Sequence, residues 1–118
     1  MFRPSPALIR TTFAITLVAI FILAMIPMVV VPEVVAWQDK VHHTGAFAVL
    51  MLLGTAGWPG RNLRVAGGLL AYGILIEVCQ YAFTINRVAE AADVVADSLG
   101  ILLGWLVASA WRGYKPAT

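Results

Sequence analysis

Four carboxylates, a histidine and a lysine stand within or at the start of apolar stretches of this chain. Glu77 and Gln80 interrupt one apolar stretch, Asp93 and Asp97 open another, and Asp39, Lys40 and His43 begin a third. Residues three or four apart share a helix face. Lys40, His43 and Phe47 therefore form one stripe, Glu77 and Gln80 a second, and Asp93, Asp97, Gly100 and Gly104 a third. Two chemistries suit such residues. Titratable groups that reach one substrate perform acid–base work, with His43 as general base and Glu77 or Asp93 as acid or orienter. The same mixture of charges can instead hold a polar head group, with Lys40 and Arg87 meeting an anion, Gln80 orienting it and the carboxylates setting the charge. No nucleophile motif or phosphate-cradling loop accompanies the cluster, so binding is the favoured reading and hydrolase or transferase chemistry the alternative.

Other chemistries find less support. No spacing of His, Cys and carboxylates matches a zinc signature, so neither a metal nor another cofactor is expected. The single cysteine, Cys79, allows no intramolecular disulfide and reads as a small apolar filler. Level carboxylates in helices can also relay protons, but four helices without a broken segment argue against alternating access by a monomer. His42 points away from the stripe of His43.

The elements that must carry these groups are membrane helices. With 61% hydrophobic and 12% charged residues over 118 positions and a mean hydropathy of +0.88, the chain departs from soluble domains, which carry about 25% charged residues. Eight Lys and Arg residues scattered at segment ends make no basic patch, so no nucleic-acid partner is expected. Pro4 and Pro6 are expected to hold off an early helix, and Thr11 to Val31 then runs 21 residues without a charge. That is enough for a hydrocarbon core of about 30 Å and too long for a signal-peptide core, so a retained first span is preferred. Further helices are expected at about 41–58, 65–83 and 91–111, after a loop from Pro32 to Gln38, a Pro59-Gly60 stop and a loop from Thr84 to Glu90. The expectation is a single all-α domain over 1–118, an integral membrane bundle of four transmembrane helices.

Arg3, Arg10, Arg61, Arg64, Arg112 and Lys115 would lie on one side and only Lys40 and Arg87 on the other. Both termini should then be cytoplasmic, N-in and C-in, in the cell membrane. All six acidic residues fall on the outward side. Glu77 and Asp97 each lie six residues from an outer helix end, roughly 9 Å deep, and should be level. A carboxylate at mid-membrane costs about 2.5–3.5 kcal/mol, against about 0.3–0.6 returned by each large apolar residue. Glu77 should therefore face inward, where Lys40, His43 or Arg87 can reach it. Gly100 and Gly104 let another helix approach closely, inside the bundle rather than in a dimer.

Asp39-Lys40-x-x-His43-x-x-x-Phe47, Glu77-x-x-Gln80, Arg87, Asp93 and Gly100 resemble the signature of the VanZ-like membrane proteins, over roughly Asp39 to Gly104. The chain carries Asp97 where that pattern usually has Asn. The resemblance implies an envelope-related role, since the founding member is associated with low-level teicoplanin resistance. The pocket expected on these grounds comprises Asp39, Lys40, His43, Phe47, Glu77, Gln80, Arg87, Asp93 and Asp97. Its expected partners are membrane lipids, a lipid-linked envelope precursor or a glycopeptide; oligomeric state is not readable from the residues.

Overall fold

A computed structural model describes residues 4–26, 33–83 and 91–114, with backbone alone at 33–39 and 112–114. Four helices follow one another: α1 (Pro6–Met25), α2 (Glu33–Gly57), α3 (Asn62–Phe83) and α4 (Ala91–Tyr114). Among the described residues there is no strand. The molecule measures 53 × 24 × 24 Å.

Two helix starts correct the expectation from sequence. Pro6 begins α1 instead of blocking it: proline at the first helical position loses no hydrogen bond, and the Ser5 hydroxyl accepts from the Leu8 N–H at 3.1 Å. The span then ends at Met25, because Ile26 precedes a proline and takes extended backbone. The remainder of the expected run, 27–31, lies outside the described residues, as does the 84–90 loop. Glu33 to Gln38, read as loop, are instead helical and lengthen α2 to 25 residues. An acidic residue suits the positive end of a helix, so Glu33 is well placed to begin one. Between α2 and α3 the chain reverses at Gly60, whose φ of +78° favours a residue without Cβ.

Contacts between helix ends fix the arrangement. Arg10 Nε donates to the Gly57 carbonyl at 2.7 Å, joining the start of α1 to the end of α2. Gln80 Nε2 donates to the Ala24 carbonyl at 2.9 Å, joining the ends of α3 and α1. Consecutive helices thus run antiparallel, and α2 and α4 run parallel. These two form the closest pair, α2 touches all three others, and among the described residues α1 and α4 do not meet.

Small residues explain the closeness of α2 and α4. A Cβ on Gly104 would fall 2.7 Å from the Ala48 carbonyl oxygen and from Met51 Cβ; one on Gly100 would strike the Thr44 carbonyl oxygen. Lipid supplies no hydrophobic drive between helices, so van der Waals packing and interhelical hydrogen bonds must hold them. Phe47, Leu50, Met51, Leu69 and Ile76 fill the interior, while Ile15, Leu63, Leu103 and Leu106 face outward. Among the described residues three helices, Pro6–Met25, Asn62–Phe83 and Ala91–Trp111, are long and apolar enough to cross a membrane. The exception, α2, is the central helix and carries the polar stripe.

Candidate functional site

The site is built where the start of α2, the start of α4 and the end of α3 converge. On α2 the stripe 40–43–44–47 faces α4. Lys40 Nζ stands 3.5 Å from Asp93 Oδ1, and one turn deeper His43 Nδ1 lies 2.9 Å from Asp97 Oδ1. Between the two pairs Thr44 Oγ1 donates to the carbonyls of Lys40 (3.0 Å) and Ala96 (3.1 Å), bridging the helices. The His43–Asp97 pair is buried, with Asp97 wholly removed from the surface. A buried carboxylate is tolerable only beside donors, and the His43 ring stands in that place at 2.9 Å.

Helix α3 supplies the third wall. Asp97 lies against Gly73: a Cβ there would be 2.7 Å from Asp97 Oδ2, so the glycine makes room for the carboxylate. Glu77 follows one turn later and is also buried. Side chains lean toward the helix N-terminus, which brings the Glu77 carboxylate back toward the level of Asp97. Gln80 is buried too and serves the end of α1, where the last carbonyls lack intrahelical partners. Phe47, fully buried, closes the floor with its ring 5.9 Å from that of Tyr72.

The structure therefore gathers Lys40, His43, Phe47, Glu77, Gln80, Asp93 and Asp97 at one end of the bundle. It pairs Lys40 with Asp93 and His43 with Asp97. Arg87 and the side chain of Asp39 lie outside the described residues. Gly100 and Gly104 face α2, within the bundle. Among the described residues no three His, Cys, Asp or Glu side chains are grouped to hold a metal ion. Two contributors were not singled out from sequence. Thr44 was detectable as a hydroxyl one turn from Lys40 on the inward stripe, and Gly73 as the small residue one turn before Glu77.

Beside the polar pairs runs an apolar groove between α2 and α4, about 600 Å³ in volume, lined among others by Lys40, Val41, Gly45, Val95 and Leu99. Lys40 thus belongs to both the polar cluster and the groove.

The tie between Gln80 and Ala24 makes a prediction about the bundle. Gln80→Leu should leave the Ala24 carbonyl without this donor and cost about 1–3 kcal/mol. Detergent–SDS titration of the purified protein measures it; a change below about 0.5 kcal/mol would show that the tie is idle.

A family model described as VanZ/LLP1 matches residues 2–112, nearly the whole chain. No curated protein and no solved structure gives a match.

Proposed function

Starting from the chain's membership of the VanZ/LLP1 family, we propose that this is a four-span membrane protein whose polar pocket recognises the head group of an envelope amphiphile. The amphiphile is a lipid, a lipid-linked precursor or a glycopeptide, and its recognition contributes to teicoplanin-type tolerance. In this reading α2 is the fourth span. Its 25 residues reach about 37 Å at 1.5 Å per residue, and its polar face is sheltered by three neighbours. Both termini are cytoplasmic by the distribution of Lys and Arg, and the pocket opens outward.

The observation that carries the proposal is the double membership of Lys40. A polar cluster alone is compatible with a helix clamp. A polar cluster that opens beside an apolar groove suits a molecule with a charged head and a hydrocarbon tail. Lys40 meets the acidic part of the head, Asp93 its donors, and the tail lies along Val41, Gly45 and Leu99. In a cell whose teicoplanin tolerance depends on this protein, Lys40→Ala and Glu77→Gln should each reduce tolerance toward that of the deletion strain. Full tolerance of both variants at normal protein levels would overturn the proposal.

One observation favours a second reading. A carboxylate 2.9 Å from a buried histidine Nδ1 fixes the tautomer and orientation of a general base. The orienter is then Asp97 rather than Glu77 or Asp93. Under this reading, purified protein incubated with envelope lipids yields a product detectable by mass spectrometry that His43→Ala abolishes.

A further inference from the structure

The opposite end of the bundle holds a second groove that the acid cluster does not touch. It runs between α1 and α3, which contact each other sparsely, and encloses about 380 Å³. Phe13, Leu17, Val65 and Leu69 form its walls, and Gly68 leaves it open, since a Cβ there would meet nothing within 4 Å. The Tyr72 hydroxyl donates to the Leu17 carbonyl and closes the inner end. From Arg64 to Tyr72 along α3 the wall rises eight residue steps, about 12 Å at 1.5 Å per residue.

The mouth is cationic. Arg61 and Arg64 are exposed there and also line an adjoining hollow of about 400 Å³ with Gly60 and Leu63, at the N-terminus of α3. Arg10 is engaged nearby, bonded to the Gly57 carbonyl and 5.2 Å from the Trp58 ring, and it braces the rim. Trp58 meets Phe13 edge to face at 5.2 Å. Among the described residues every carboxylate side chain lies at the other end of the molecule.

We propose that this groove binds an anionic phospholipid, one acyl chain lying along Leu17, Gly68 and Leu69 and the phosphate held by Arg61 and Arg64. An elongated apolar slot closed at its inner end accepts a chain, not a protein surface. Guanidinium groups match phosphate oxygens in a bidentate way, and the hollow that Arg61 and Arg64 line lies at the start of α3, the positive end of that helix. A second copy is the wrong occupant, because copies inserted in one orientation bring their Arg61 and Arg64 to the same depth and repel.

The proposal is tested with Trp58 as reporter, in protein with Trp37, Trp105 and Trp111 changed to Phe, reconstituted into phosphatidylcholine vesicles. A minor fraction of lipid carries brominated acyl chains, on either phosphatidylglycerol or phosphatidylcholine. Brominated phosphatidylglycerol should quench Trp58 at least threefold more effectively per mole. Gly68→Leu, which fills the slot, should remove that preference. Gly67→Leu should keep it, because Gly67 also has open space around its Cβ but does not line the groove. Arg61→Gln with Arg64→Gln should equalise the two lipids. Equal quenching in the parent protein overturns the proposal, as does equal behaviour of the Gly67 and Gly68 variants. Trp58 shielded from both lipids until Gly68→Leu dissociates a dimer overturns it in favour of a second copy.

Discussion

Gly100→Ala should destabilise the bundle even though alanine is the better helix former. Ala gains roughly 0.5–1 kcal/mol over Gly within a helix through the unfolded chain's lost freedom. Here the added Cβ would overlap the Thr44 carbonyl oxygen, stand 2.9 Å from Phe47 Cβ and 3.1 Å from the Ala48 backbone nitrogen. Two of these three neighbours are backbone of α2, which no rotamer change can move. Forcing α2 and α4 apart would stretch the Thr44–Ala96 hydrogen bond and disturb the Lys40–Asp93 and His43–Asp97 contacts above it. Overpacking of this kind costs about 1–3 kcal/mol, so repulsion outweighs propensity. Gly67→Ala is the internal reference: nothing lies within 4 Å of its Cβ, and it should be neutral or stabilising by up to about 1 kcal/mol. SDS titration of both variants measures the difference. Gly100→Ala as stable as Gly67→Ala would mean that α2 and α4 do not pack as closely as described.

The same two helices show what could be read from residues alone. Spacing was enough to place Lys40, His43 and Phe47 on one face and Asp93, Asp97, Gly100 and Gly104 on another, because helical periodicity is a property of the chain itself. Pairing depended on three dimensions. Counting depth brings Glu77 and Asp97 to one level, and the cost of a buried carboxylate turns Glu77 inward, within reach of Lys40, His43 or Arg87. It could not register that α4 sits on α2 through its glycines, which delivers Asp93 to Lys40 and Asp97 to His43. The helix start at Pro6 differs from the expectation for a local reason: a proline at the first helical position costs nothing, whereas Pro4 and Pro6 read as breakers. The spacing of Gln80 suits either a ligand contact or a polar clamp between helices, and the carbonyl it meets on α1, 56 residues away, leaves no trace in side-chain pattern.

Truncating either member of the His43–Asp97 pair should cost more than any other single truncation at the polar end, and the way the cost of Asp97→Ala divides identifies the pair. Removing the carboxylate takes the 2.9 Å partner from the His43 ring, which is only 9% exposed, and leaves space beside Gly73. Loss of one neutral partner costs about 1–3 kcal/mol; breaking a buried ion pair costs about 3–5 kcal/mol. Asp97→Asn separates the two cases, because the amide keeps the shape and an acceptor oxygen but not the charge. A small cost, near that of a neutral hydrogen bond, would show that acceptance of one His43 N–H suffices; a cost close to that of Asp97→Ala would show that charge is what His43 requires. His43→Ala should be at least as damaging as Asp97→Ala, since it takes a 2.9 Å partner from a carboxylate that is entirely buried. The double variant should then lose less than the sum of the two by at least about 1 kcal/mol, the mark of residues that act as a unit. Additive losses would dissolve the pair. Gly73 provides an independent check. Alone, Gly73→Ala presses a Cβ to 2.7 Å from Asp97 Oδ2 and should destabilise; combined with Asp97→Ala it occupies the vacated space and should restore stability. Recovery of this kind requires that α3 and α4 meet at Asp97 itself, so it tests the packing that brings the carboxylate to the histidine without relying on any assay of function.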